Sequence, residues 1–439
     1  MQIGANTTTQ DGKGFHLSRF TLLSLLLVFF CGGCTTEGER PEDREDGVTL
    51  VFKHGKIEGD PAFFRGLLDR FEATHPGIRV VSESLPASTD QQHQFYVINL
   101  EGKSDAFDLM ALDVIWLSEF SRAGWTREVG HLFTDEEAED FFPGTMDAVT
   151  HRGKRYAIPW YIDAGLLYYR KDLLEKYGFK PPTEWKDLVT IAQTILQKEG
   201  DPRLVGFVWQ GKQYEGLICN VMEYIWSRGG AVIDEGRVVL EDPAAKEALR
   251  FMRGLIGTDH VSPPLVTTAD EEVTRRIFGE GRAIFMRNWP YAWNLFQSEG
   301  SKVREKVGIV PLPSFSGHSP AATLGGWHLG INRYARHPQA AEALIRYLTS
   351  PAVQKSLAIR IGYNPTRMSL YHDPELRVAN PPTASLYEIF LTARPRPVTP
   401  YYLMFSQIMQ PEFSAALTGI KSPEAALQSA QRQMAHIIK

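Results

Sequence analysis

From Val48 onward the chain alternates short apolar runs with helical patterns, and that alternation limits the fold more than any other feature. Residues 48–53 (VTLVFK) read as a strand. Phe64, Leu67, Leu68 and Phe71 then fall at i, i+3, i+4 and i+7, the apolar stripe of an amphipathic helix. His75-Pro76-Gly77 ends that helix. Residues 78–82 form the next expected strand, 91–100 a helix, 107–112 a third strand and 116–120 a short helix. This order implies a parallel sheet wrapped by helices, with any ligand held beyond the C-terminal strand ends. Lys53 to Asp60, the loop around Ser88 to Asp90, and Asp113 occupy such ends.

A second alternating block predicts helices at 171–177, after Thr183 as cap, at 214–227 and at 243–256, with strands at 205–209 and 283–286. VGIVPLP from Val307 leads to a strand at 326–332, and Ala341, Leu344, Ile345 and Leu348 repeat the helical stripe. Ser422 as cap and Pro423 at the first helical position open a final helix. The fold class expected is α/β, two lobes with chain crossovers near 155–165 and 308–314 and a ligand cleft between them.

The segment ahead of this body reads as an address. Lys13 and Arg19 precede an apolar run of eleven residues, Phe20 to Phe30, which Gly32 and Gly33 close. A membrane-spanning helix needs about 20 apolar residues, so the order basic, apolar, small reads as a signal peptide. A Cys directly after Gly-Gly resembles the lipobox of bacterial lipoproteins, which makes Cys34 the expected lipidation site and new N-terminus. Cys31 stands where that pattern usually has Leu, and it fits the role less well because Phe29 and Phe30 precede it. The following TTEGERPEDREDG has no apolar side chain and reads as a solvated tether. Expected divisions are 1–33 signal peptide, 34–47 lipidated Cys and tether, 48–160 with 310–370 first lobe, 161–309 second lobe, and 371–439 a C-terminal helical region near the hinge.

Composition removes several function classes. The chain has 47 basic against 52 acidic residues, far from the basic footprint of a nucleic-acid binder. Three cysteines in 439 residues make no disulfide scaffold. Gly206 to Lys212 has the glycine and lysine spacing of a phosphate loop, but Gln213 stands where Ser or Thr should hold Mg²⁺, and Phe207-Val208-Trp209 look like a strand. The sequence has no His-Glu-x-x-His, no second Cys-x-x-Cys to pair with Cys31-Gly-Gly-Cys34 and no Gly-x-Ser-x-Gly, and Cys219 lies in an apolar helical pattern. No cofactor, metal or catalytic residue is expected. Paired aspartates at a glycosidase spacing stay open as an alternative, a secreted glycoside hydrolase.

What stands out is aromatics beside acids or glycines at turns: Trp160-Tyr161-Ile162-Asp163, Asn288-Trp289-Pro290-Tyr291 and Gly325-Gly326-Trp327. Aromatic rings cover the flat C–H faces of sugars, while carboxylates and Arg hydrogen-bond the hydroxyl rim. A single such aromatic fills a core equally well. Three clusters at strand ends favour a site.

FEATHPGIRV, DLMALDVIWLSEFSRAGW, YAIPWYIDAGLLYYRKDLLEKYG, PPTEWKDL, GRAIFMRNWPYAW, GGWHLGIN, YNPTR and RPVTPYYLMFSQIMQPEFSAALTG carry a family resemblance. The body resembles the extracellular solute-binding proteins of carbohydrate ABC importers, and among them the trehalose/maltose-binding branch. The resemblance implies two α/β lobes of the periplasmic-binding-protein type that close over a sugar, and a membrane permease that accepts the closed form. It implies ligand contacts from Asp113, from Tyr161 and Asp163 at the first crossover, from Trp289 and Tyr291, from Gly326 and Trp327, and from Arg367 in YNPTR. Asp60, Thr89 and Asp90 match more loosely, and either Glu58 or Asp60 faces the cleft. Trp209, Gln213, Tyr214 and Glu215 belong to a family motif, either touching ligand or holding the lobe. The expectation is a monomeric lipoprotein of the cell envelope that binds an α-linked disaccharide such as trehalose or maltose and binds no nucleic acid. A sugar alcohol, a glycerophosphodiester or glycerol-phosphate-type solute, or a polyamine is the alternative ligand.

Overall fold

The computed structural model describes residues 41–43 and 47–438. The signal peptide, Cys34 and most of the tether lie outside the described residues. Strands β1 (Val48–His54), β2 (Ile78–Ser84) and β3 (Leu109–Asp113) are linked by helices α1 (Pro61–Thr74) and α2 (Thr89–Glu101). β1 pairs in parallel with both β2 and β3, an arrangement that needs crossover connections of this kind. α1 lays Phe64, Leu67, Leu68 and Phe71 on the sheet, the expected stripe. Both faces of that sheet are covered: Leu50 and Phe52 enter the core under α1, while Val51 enters the core with Tyr96 of α2 and Met110 and Leu112 of β3. The third strand begins at Leu109, two residues later than its apolar pattern suggests. Asp108 is buried there instead, its carboxylate accepting from the backbone of Val51 (3.0 Å) and His337 (3.0 Å).

The chain continues through a small hairpin, β4 (Thr150–His151) with β5 (Lys154–Arg155), to β6 (Ile158–Ala164) and β7 (Leu166–Arg170). After β8 (Val205–Val208) and a second hairpin, β9 (Ile233–Asp234) with β10 (Arg237–Val238), come β11 (Ala283–Asn288), β12 (Val307–Pro311), β13 (Leu324–Ile331) and β14 (Asn364–Pro365). Two principal sheets result, one in the order β14-β6-β13-β3-β1-β2 and one in the order β12-β7-β11-β8. The fold is two-lobed α/β, one lobe around each sheet. The chain changes sheet at Gly165 and again between Pro311 and Leu324, so the expected divisions at 160/161 and 309/310 fall inside β6 and β12.

Three local expectations need correction. Trp160 to Asp163 lie within β6 and Gly325 to Trp327 within β13, not at turns; β6 is buried between β13 and β14, and its side chains do not alternate as a half-exposed strand would. Thr183 does not cap the next helix. Helix Trp185–Glu199 has Glu184 at its N-cap with no side-chain cap, and the Trp185 N–H donates to the Ser314 carbonyl (3.0 Å), a pairing with the chain after β12. The tether is not wholly solvated: Thr49 donates from its backbone to Asp43 Oδ1 (2.7 Å) and from its hydroxyl to the Glu42 carbonyl (2.9 Å), and Asp43 pairs with His337 (3.0 Å). Charge and hydrogen bonding dock a segment that has nothing apolar to bury. The final helix, Pro423–Ile437, starts as expected, with Ser422 Oγ accepting from Ala425 N (3.1 Å).

Gly165 marks the first change of sheet, and it has no room for a side chain. A Cβ there would sit 1.9 Å from Glu223 Oε1. Glu223 and Arg287 form a fully buried pair (2.9 and 2.5 Å) in the second lobe. Thr323, on the returning link, accepts from Gly165 N (3.3 Å) and donates from its backbone to Glu223 (3.2 Å) and from its hydroxyl to the Cys219 carbonyl (3.0 Å). Both crossings are therefore fastened to one ion pair.

Candidate functional site

Three neighbouring strands of the first sheet build one wall. Trp327 on β13 stands opposite Asp113 at the end of β3 and opposite Tyr161 on β6. Cross-strand neighbours share a face, so acid, indole and phenol form a row. Trp116 supports Trp327 edge-on (5.6 Å, 87°), and Tyr363 stacks on Tyr161 (4.0 Å, 22°). Gly326 precedes the indole at φ +132°, and a Cβ there would meet the Tyr161 carbonyl at 2.6 Å, so only glycine fits this strand approach.

The second lobe supplies the facing wall from the end of β11. Trp289 follows Asn288 directly, its ring 4.0 Å from the Arg287 guanidinium, and its Nε1 donates to Glu271 Oε1 (3.2 Å). Tyr214 donates to the other oxygen of Glu271 (2.6 Å), and Tyr291 donates to Glu272 (2.8 Å). Gly325 leaves space where the Trp289 ring approaches: a Cβ there would lie 3.0 Å from Trp289 Cζ3 and 3.3 Å from Asp163 Cβ. The walls enclose a cavity of about 240 Å³.

Its charges are mostly acidic. Glu58, Asp113, Asp163, Glu215 and Glu271 line it against Lys56 and Arg396. Arg396 donates to Glu215 Oε1 (2.8 Å) and Asp113 Oδ1 (3.3 Å), bridging the second lobe to the first, while its Nε has no partner among the described residues. Glu215, the first residue of helix Glu215–Ser227, also accepts from the Tyr402 and Ser406 hydroxyls. Burial pushes the Asp163 carboxyl up to about 8, with the charge of Asp113 adding to the effect. Burial also raises Asp113, against the pull of Arg396. Asp90 is pushed up to about 6 by burial and by the charges of Glu215 and Asp113. Such a set can accept from hydroxyls at ionised carboxylates, donate from carboxyls that keep a proton, and cover flat C–H faces with rings. Burial raises the Cys219 thiol far above its ordinary value, which suits a buried hydrophobe and not a nucleophile.

Thr89, Asp113, Tyr161, Asp163, Trp289, Tyr291, Gly326 and Trp327 all line the cavity. Between Glu58 and Asp60 the structure puts Glu58 there, because Asp60 caps α1 through Phe63 N (2.9 Å) and pairs with Arg360 (2.8 Å). Asp90 lies one residue behind Thr89 in the first turn of α2, close enough to sense the cleft charges but outside the lining. Arg367 is misassigned. It is buried over Phe141, donates to the Thr349 carbonyl (2.9 Å) and faces Asp140, away from the cavity. The arginine in the cleft is Arg396, which the sequence marks by its place between Pro395 and Pro397, an extended segment opening RPVTPYY. Tyr214 and Glu215 reach the cavity, whereas Trp209 is buried on Ser262 (3.0 Å) and Gln213 is not in the lining. Tyr363, which opens YNPTR, and Glu271, within the acidic run Asp270 to Glu272, line the cavity as well, although local sequence marks neither as a site residue.

The family model described as bacterial extracellular solute-binding protein matches residues 55–355. A probable ABC transporter-binding protein of Deinococcus radiodurans is 39% identical over 373 residues, 83% of this chain and 88% of that protein. A mannitol-binding protein of Pseudomonas aeruginosa is 26% identical over 395 residues, covering 84% and 88%. The maltose-bound structure of T. maritima MalE3 superposes with a TM-score of 0.84 at 42% identity, over 89% of this chain and 99% of that one. These relatives are solute-binding proteins and not enzymes. The chain belongs to the bacterial extracellular solute-binding proteins.

Proposed function

We propose that this protein is the sugar-binding component of an ABC importer and that its cleft takes an α-linked disaccharide, maltose or trehalose. The observation that carries the reading is the acid, indole and phenol row of Asp113, Trp327 and Tyr161 facing Trp289 across the cavity. Two sugar rings offer two flat faces for stacking and a hydroxyl rim for Asp163, Glu58 and Arg396. The 42% identity to a protein solved with maltose supports the same class. Binding shifts the population toward the closed form, because only there do the walls of both lobes reach one ligand. A membrane permease receives that form, and Cys34 carries the lipid anchor that keeps the monomer at the envelope.

Calorimetry against maltose, trehalose, sucrose and palatinose tests the ligand class, and saturable binding well below about 1 mM is expected for at least one α-linked disaccharide. The second reading, a sugar alcohol, is favoured by the mannitol-binding relative. Mannitol binding with no disaccharide response would establish it instead.

A further inference from the structure

At the mouth of the cleft, away from the hinge, the two lobes touch through residues outside the cavity lining. Asn294, on helix Ala292–Gln297 of the second lobe, directs Nδ2 at the carbonyls of Ala358 (3.4 Å) and Ile359 (3.3 Å) in the first lobe. Those carbonyls belong to the last turn of helix Pro351–Arg360, where no intrahelical donor remains. The helix ends with both the Ile361 (2.9 Å) and Gly362 (3.0 Å) amides on Leu357, so the two carbonyls beside it are left to an outside donor. Gly362 is at φ +87°, and a Cβ there would press within 3.2 Å of Asn294. The contact is fitted on both sides.

Charges flank it. In the first lobe Lys56 pairs with Glu58 (3.0 Å), and in the second Arg275 pairs with Glu272 (2.5 Å). Burial would raise Glu272, but hydrogen bonds from Arg275 and Tyr291, the Arg275 charge and, across the mouth, Lys56 hold it low. Arg275 is stabilised chiefly by Glu272, and Glu58 adds to this from the opposite lobe. Lys56 of the first lobe thus acts on Glu272 of the second, and Glu58 on Arg275.

We propose that Asn294, seated on the carbonyl end of helix Pro351–Arg360, and the crossed charges of Lys56, Glu58, Glu272 and Arg275 form a latch that holds the lobes closed without contributing Asn294 or Arg275 to the ligand site. The latch rests on the reading of the cleft as a sugar trap. It sets affinity through release: closing follows capture, so a weaker latch speeds dissociation and leaves encounter unchanged. It also makes the binding of an uncharged sugar sensitive to salt, since closing brings partly exposed charges together within the screening length of dilute buffer.

The test is interlobe energy transfer between dyes on Ile98→Cys and Leu265→Cys, exposed residues of the two lobes, with Cys219 buried and unlabelled. It is read with no ligand and with maltose, for the parent, Asn294→Ala and Asn294→Asp. The parent is expected to show a closed minority without ligand, smaller in Asn294→Ala and smallest in Asn294→Asp. The isosteric Asp cannot donate and turns a carboxylate toward two carbonyls, so a purely steric role predicts the reverse order. Maltose release is expected to quicken roughly 3- to 10-fold in Asn294→Ala, with association and the melting of the ligand-free protein unmoved. Release by the parent should also quicken between about 0.05 and about 1 M salt. No closed minority in the parent, or parental behaviour in both variants, overturns the latch. If maltose and trehalose fail to bind, the ligand reading falls, and the ligand-free arm still decides the latch.

Discussion

Asp163 is the residue whose environment departs furthest from its ordinary chemistry among the cleft carboxyls. It is held to about 8, against an ordinary value of 3.8, because a buried charge would find little solvent and a second acid, Asp113, stands nearby. The folded protein therefore keeps a proton that the unfolded chain gives up. Between about pH 4 and pH 8 the folded state binds more protons, so this group's contribution to stability falls as pH rises through that window, by at most about 1.4 kcal/mol per pH unit. Asp163→Asn removes the dependence. Thermal unfolding of the ligand-free protein from pH 5 to pH 9 should show a steeper loss for the parent than for Asp163→Asn, and parallel curves would contradict the assignment. The identity of Asp163 as a site residue was readable from its neighbours Trp160 and Tyr161; its proton was not, because burial is a property of the assembled strands.

At the scale of elements, legibility followed pattern. α1 and the final helix stood out because one face is apolar and the other charged, and β1, β2 and β3 stood out as bounded apolar runs. β6 escaped because pairing on both edges and packing on both faces erase alternation, and Pro159 sits inside it. Helix Tyr402–Leu417, inside the expected C-terminal helical region, lacked a readable period because Leu403, Met404 and Ile408 lie outside its buried stripe and Pro411 stands within it. The segment between Pro395 and Thr399 has no regular structure at all, yet it delivers Arg396. That side chain is buried between Asp113 and Glu215, one from each lobe. Arg396→Gln leaves two buried carboxylates without their cation, which should destabilise the protein by about 3–5 kcal/mol and raise the pKa of Asp113 further. Chemical denaturation, with the loss largest at high pH where both acids must ionise, measures it. A change below about 1 kcal/mol would mean the bridge is not formed in solution.

For the whole molecule the decisive feature is that two lobes share one buried ion pair at their crossings. Gly165 and Thr323 both rest on Glu223, which Arg287 neutralises, and Arg287 in turn lies under the Trp289 ring in the cleft. Hinge and ligand wall are thus in direct contact. Gly165→Ala forces a methyl to within 1.9 Å of Glu223 Oε1 unless the pair moves, so it should cost roughly 1–3 kcal/mol or more in stability and disturb Trp289 with it. Unfolding midpoints together with Trp fluorescence on maltose addition check both halves. A stable variant with parental fluorescence would show that the crossing tolerates a side chain.

By itself the sequence determined the α/β class, the two-lobed plan and part of the aromatic and acidic lining of the walls, because hydrophobic period and local clusters of residue types are properties of neighbouring positions in the chain. Only the tertiary structure decided that Arg396 and not Arg367 enters the cleft, that Glu58 faces it while Asp60 caps a helix, and that Asn294 reaches helix Pro351–Arg360. Each of those choices depends on which distant carboxylate or carbonyl lacks a partner after the lobes have packed, and no pattern of neighbouring residues carries that information.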